Sequence, residues 1–146
     1  MIRRQALVLL TLVGLLVATY LWLYKIGVLG QLQCGTGSCE FVQASRYAEL
    51  FGLPVALYGV GGYAVLLVLG LAGLQPRFVG DRRVTRLLAA LATVGFAFTL
   101  YLTAIELFVL HAICRWCMAS AVIMTAIWVL SILEQRSRPS VAAPSR

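Results

Sequence analysis

Hydrophobic positions in this chain do not alternate with polar ones; they come in four long blocks. Ala6–Val28, Leu53–Leu74, Leu87–Leu110 and Cys114–Leu133 are apolar on every helical face, and their few charges, Lys25, Glu106 and Arg115, lie close to block ends. Each block supplies the roughly 20 residues that a helix needs to cross hydrocarbon. Inside a bilayer every backbone N–H and C=O has to be satisfied within the chain, which for one isolated block means a helix. The pattern predicts an all-α integral membrane protein: a four-transmembrane-helix bundle forming a single domain over residues 1–135, with spans near 6–28, 53–74, 87–110 and 114–133. The first block exceeds the apolar core of about 7–15 residues found in a cleaved signal peptide, so it counts as a span. Residues 136–146 end in "SRPSVAAPSR", which has no periodicity and reads as a disordered cytoplasmic tail.

Composition removes the soluble alternative. The chain of 146 residues is 62% hydrophobic and 12% charged, where a soluble domain carries about a quarter charged residues. Mean hydropathy is +0.94. A net charge of +7 would ordinarily suggest nucleic acid, but its distribution says otherwise. Arg3, Arg4, Arg77, Arg82, Arg83, Arg86, Arg136, Arg138 and Arg146 all fall on one side of the spans, leaving Lys25, Arg46 and Arg115 for the other. The excess of Lys and Arg on cytoplasmic segments then places both termini in the cytoplasm. Topology accounts for the charge, and no nucleic-acid partner is expected.

With the spans oriented, all four cysteines land at the outer face. Cys34 and Cys39 lie in the loop between the first two spans, and Cys114 and Cys117 open the fourth. An oxidising outer compartment favours disulfides there. Cys114 and Cys117 stand at i and i+3, on one face of a helix start, where unpaired N–H groups favour a thiolate, the nucleophile of thiol exchange. Arg115 adds a positive charge. With a rise of 1.5 Å per residue, Cys117 lies about 4.5 Å deeper than Cys114. Cys114 is therefore the better placed to meet a loop cysteine, and Cys117 to meet a molecule dissolved in lipid. The "CGTGSC" stretch of the loop, rich in Gly and small hydroxyl residues, resists regular structure. After it, "EFVQASRYAELF" spaces Phe41, Val42, Ala48 and Phe51 as one short amphipathic helix lying at the interface. Glu106 lies near the outer end of its span, within reach of water, as a proton source or as the partner of Lys25 or Arg115. His111, Tyr20, Trp116 and Trp128 read as interfacial or packing side chains.

The order Cys34-x4-Cys39-x5-Ser45, then "FGLPVALYG", then Cys114-Arg-Trp-Cys117 at the head of the last span resembles the vitamin K epoxide reductase family. The likeness extends over nearly the whole chain and is to bacterial members without a fused thioredoxin-like domain. It implies a four-helix bundle of the bacterial inner membrane that passes electrons to a quinone, ubiquinone or menaquinone, in support of disulfide bond formation. It implies a separate periplasmic thioredoxin-like (DsbA-like) partner, Cys34 and Cys39 as a shuttle pair, exchange between Cys39 and Cys114, and Cys117 against the quinone. Ser45 matches a hydroxyl residue of the family. Human-type members carry an asparagine near the position of Val55 and a tyrosine at that of Ala121 to bond the quinone carbonyls. Here both positions are apolar, which points to simple quinone reduction. The quinone contacts expected by this likeness are Cys117, Ser45, Val55, Glu106 and Ala121.

Other chemistries fit the same residues. Two cysteine pairs can hold zinc, but a C-x4-C spacing and an oxidising exterior argue against it, and no metal is expected. The cysteines can also simply brace the outer loops of a non-enzymatic membrane subunit. A four-span exporter using Glu106 as its proton-coupled site is a third reading, since an ionisable residue inside a span is a functional suspect.

Overall fold

A computed structural model describes residues 2–34 and 38–137. The elements in chain order are α1 (Ile2–Lys25), α2 (Cys39–Ala44), a 3₁₀ turn (Arg46–Ala48), β1 (Glu49–Leu50), β2 (Leu53–Pro54), α3 (Val55–Ala72), α4 (Arg82–Ala104) with a π-helical continuation (Ile105–Leu110), and α5 (Arg115–Ser137). Four helical segments, Ile2–Lys25, Val55–Ala72, Arg82–Leu110 and Arg115–Ser137, are long and apolar enough to cross a membrane. The four expected spans are all present, with their boundaries shifted.

Local chemistry explains the shifts. α1 stops at Lys25 instead of Val28 because Gly27 takes a left-handed conformation, φ 84°. Its N–H bonds Tyr24 O at 3.0 Å and the N–H of Val28 bonds Leu23 O at 3.0 Å, the paired closure of a Schellman motif. α4 starts five residues before Leu87 because the Asp81 carboxylate accepts the Arg83 N–H at 2.8 Å, an N-cap that satisfies one orphan donor. The helix thus begins in polar sequence and carries Arg82, Arg83 and Arg86 in its first turns. α5 runs on through Arg136 and Ser137, the first two residues of the expected tail; residues 138–146 lie outside those described. So do residues 35–37, on which the expectation of an irregular "CGTGSC" loop rests.

The single amphipathic helix expected after Cys39 is broken into pieces. α2 covers Cys39–Ala44, and Ser45 turns to extended backbone, φ −68° and ψ 156°. A 3₁₀ turn and a two-residue hairpin follow, with Glu49 opposite Pro54 and Leu50 opposite Leu53. At the hairpin tip Phe51 and Gly52 both have positive φ, 53° and 78°, which matches the right-handed twist of the flanking strands. Pro54 cannot donate to a ladder and fixes its own φ, so the strand ends there and α3 begins. Tyr58 donates to Leu50 O at 3.0 Å and ties the hairpin to α3.

α1 packs against α3 and α5, α4 against α5 and α3. The inner core joins Leu7, Ala18, Tyr63, Leu66, Leu88, Ala92, Met124 and Ile127. Tyr63 crosses toward α1 at Gly14, where a Cβ would collide with its ring. Side chains such as Leu9, Leu16, Val68 and Val94 point outward, as expected of surfaces solvated by lipid tails. At the α1 N-terminus Arg4 is almost completely buried. It pairs with Glu134 of α5 at 2.6 Å, donates to Thr85 Oγ1 of α4 at 3.1 Å, and donates to Gly73 O at the end of α3. One guanidinium therefore joins all four spans. The planar, multi-donor geometry of arginine makes this possible where lysine would reach fewer partners.

Candidate active site

The opposite end of the bundle collects the cysteines. Cys34 and Cys39 form a disulfide, and Cys114 and Cys117 are thiols. Cys34, Cys39 and Cys114 are packed into one buried cluster with Val17, Leu21, Leu32, Val42 and Ala112. α2 leans on α5, so the loop disulfide is brought against the C-x-x-C rather than left in solvent.

Cys114 occupies the N-cap position of α5. Its carbonyl accepts the first helical bond, from Met118 N at 2.9 Å, and its sulfur accepts the N–H of Cys117 at 3.4 Å. A serine or aspartate at an N-cap performs this same task with oxygen. Cys114 stands one residue before the membrane span. Hydrogen bonding from the Cys117 thiol, then from the backbone N–H groups of Cys117 and Trp116, holds the Cys114 thiol below its ordinary range, against its burial and the Glu106 carboxylate.

The peptide before the C-x-x-C is shaped by a change of helix pitch. From Ile105 to Leu110 the backbone is π-helical, closed by His111 N–H bonding Glu106 O. Such wide turns recur at functional sites because they re-aim side chains that a regular helix would direct elsewhere. His111 itself is left-handed, φ 51°, and exposed. Glu106 is turned inward: it is 5% exposed and its Oε2 accepts the Cys114 N–H at 3.2 Å. Glu106 and Cys117 line the same cavity. The inward turn of Glu106 corrects the expectation of a carboxylate in contact with water. Lys25 does not serve as its partner either, since it pairs with Glu49 at 3.3 Å and donates to Gln43 O at 2.8 Å.

Beneath α2 lies a largely apolar cavity of about 160 Å³ to which all four spans contribute. Ser45, Val55, Glu106, Cys117 and Ala121, the five positions expected around a quinone, all line it. Of the four cysteines only Cys117 does so. Its deeper wall includes Tyr63, whose hydroxyl bonds Ser120 Oγ at 2.9 Å, together with Gly59, Gly62 and Gly95. Ser45 spends its hydroxyl proton on Val42 O at 2.7 Å, closing the end of α2. Among the described residues, no three of His, Cys, Asp and Glu converge as metal ligands.

Residues 5–132 match the sequence model of the Vitamin K epoxide reductase family. The chain belongs to that family. It is accordingly a multi-pass membrane thiol–disulfide oxidoreductase, and its family is quinone-linked in general.

Three site features escape sequence reasoning. Tyr20 and Trp116, expected as belt residues, clamp Gln33 beside Cys34: the Tyr20 hydroxyl accepts Gln33 N–H at 3.0 Å and Trp116 Nε1 donates to Gln33 O at 3.1 Å. Their rings pack at 4.9 Å. Gln43 donates from Nε2 to Cys117 Sγ at 3.5 Å. The Cys39-to-Gln43 spacing of one helical turn was the available signal for the third.

Proposed function

We propose that this oxidoreductase carries electron pairs from a separate thioredoxin-like protein, on the outer side of a bacterial inner membrane, to a quinone in the bilayer. The observation that carries the reading is the unequal placement of the cysteines: Cys117 alone lines the cavity, while Cys34, Cys39 and Cys114 cluster outside it. An apolar pocket with a few converging polar groups suits a flat, mostly hydrophobic ring. Val55, Ala121 and the glycines would wall such a ring, with Ser45, Glu106 and Cys117 as the nearby polar groups. A quinone bound there supplies an acceptor for the two electrons and two protons released when the Cys114–Cys117 bond forms.

The thiol chemistry belongs to the chain. A partner dithiol attacks the Cys34–Cys39 bond and leaves as a disulfide, so that two thiols remain on the loop. The Cys39 thiolate attacks Cys114 of a Cys114–Cys117 disulfide; the Cys39–Cys114 bond forms and Cys117 leaves as thiolate. Cys34 then attacks Cys39 and Cys114 departs, a step helped by the hydrogen bonds that favour its anion, because the leaving thiol of lower pKa leaves faster. The electron pair now rests on Cys114 and Cys117, and the loop disulfide is closed. Glu106, which lines the cavity beside Cys117, takes up its proton in this reading.

The test follows quinone absorbance with purified protein and a reduced thioredoxin-like donor. Wild type turns over, Cys117→Ser does not, and Cys39→Ser loses input from the protein donor while keeping input from a small thiol. Absence of thiol-dependent quinone reduction by wild type with every donor tried would overturn the proposal.

A further inference from the structure

Three elements border Cys117. Cys114, just before its own helix, accepts its backbone N–H at 3.4 Å, Glu106 of the π-helical segment lines the same cavity, and Gln43 of α2 donates to its sulfur. Two of these are groups that carry or compete for negative charge. Gln43 is the only one of the three that brings a neutral donor, and it is buried, 8% exposed. A thiolate accepts hydrogen bonds and cannot donate one, so only the NH₂ end of the amide suits it. The contact shows that orientation, Nε2 to Sγ at 3.5 Å.

How Gln43 is held matters as much as what it touches. Its backbone carbonyl accepts from Lys25 Nζ at 2.8 Å, and Lys25 is itself braced by Glu49 at 3.3 Å. The end of the first span thus pins the C-terminal part of α2 from above. Within α2, Gln43 lies one turn after Cys39, on the same helical face. The short helix that carries the shuttle cysteine therefore also carries the donor to the deeper thiol.

We propose that Gln43 is a further catalytic residue, whose side-chain amide stabilises the thiolate of Cys117 as the loop disulfide docks. The inference rests on the relay described above. It couples the two cysteine pairs through one rigid helical turn: seating Cys39 seats Gln43, so the charge released on Cys117 meets its donor as the exchange occurs.

The test uses the full-length protein without quinone in a Cys114→Ser background with the Cys34–Cys39 disulfide closed, so that Cys117 is the one free thiol, as it is when Cys114 is held in the mixed disulfide. Cys117 is alkylated at one fixed pH with a small neutral maleimide and followed by peptide mass spectrometry, beside the ultraviolet absorbance of its thiolate. Gln43→Leu removes the donor and slows alkylation by about tenfold, the scale of a hydrogen bond to a charged group. Gln43→Glu keeps the size, removes the donor and adds a like charge, so it is slower still and its thiolate absorbance falls furthest. If Gln43 only shaped access, Gln43→Glu would match wild type; that result, or unchanged rates in both variants, overturns the proposal. Formation of the Cys34–Cys39 disulfide reports that each variant is folded, and Gln43→Leu keeps the test decisive if the glutamate variant fails to fold. Quinone turnover of wild type is measured separately: its absence would defeat the relay, whereas the alkylation rates decide the role of Gln43.

Discussion

The two ends of the bundle bury polar groups in opposite ways. At the arginine end, Arg4, Glu134, Thr85 and the Gly73 carbonyl close on one another across all four spans. At the cysteine end, Glu106, Gln43, Cys114 and Cys117 gather beside a cavity, and their contacts are long: 3.2, 3.4 and 3.5 Å. The first arrangement has short, charge-assisted bonds and holds helices in register. The second leaves sulfur and carboxylate able to exchange partners. Polar burial in an apolar bundle is expensive either way; short bonds brace one end, and in the proposed relay the other end carries the chemistry.

The comparison is broken most completely at Cys117. Cys117→Ser abolishes quinone reduction from every donor while thermal unfolding changes little, because the serine keeps the volume of a half-buried site. A protein that unfolds instead would make this end structural.

At the other end the expected loss is reversed. Arg4→Ala leaves the Glu134 carboxylate in an apolar setting and costs about 3–5 kcal/mol, the range for removing one partner of a buried pair. The double change Arg4→Met with Glu134→Leu recovers most of that, since a buried ion pair is often replaceable by apolar residues of similar volume. Turnover per folded molecule stays at the wild-type level. Loss of turnover without loss of stability would show that the arginine end also takes part in the reaction.

Smaller effects sharpen the boundary between the two. Gly14→Ala drives a methyl group into the Tyr63 ring and costs about 1–3 kcal/mol, as overpacking does; Tyr63→Leu in the same chain relieves it. A stable Gly14→Ala protein with an unmoved melting temperature would show that α1 and α3 can slide apart. Tyr63→Phe removes only the hydroxyl's contacts with the Ser120 carbonyl and Oγ and costs about 0.6 kcal/mol, typical of hydrogen bonds between membrane helices. Calorimetric or thermal unfolding in detergent measures all three.

How much of this was legible beforehand varies with the length scale of the force involved. Four helical spans follow from four apolar blocks, since the bilayer allows one solution for each, and the segregation of cysteines to one end follows with them. The position of Cys117 below Cys114 follows from helical rise. Boundaries were less legible: the Gly27 closure and the Asp81 cap act within single turns, and they shifted span ends by several residues. α2 was read as one amphipathic helix because its apolar spacing continues through Ser45, yet Ser45 turns extended and Pro54 ends the following strand. Glu106 was placed near water by counting residues to the span end. Only the π-helical turn, which no periodicity announces, rotates it into the bundle.

The sequence alone determined that this chain crosses a membrane four times with its cysteines at one end, and its cysteine order pointed to the family. Those properties depend on hydrophobic length and residue order, which are local along the chain. Tertiary structure decided that Arg4 joins four helices, that Glu106 turns inward to the Cys114 N–H and Gln43 to the Cys117 sulfur, and that Cys117 alone of the cysteines borders the cavity. Each of these brings together residues distant in sequence, and their meeting depends on helix rotation and packing, which the order of hydrophobic and polar positions along an almost uniformly apolar helix does not specify.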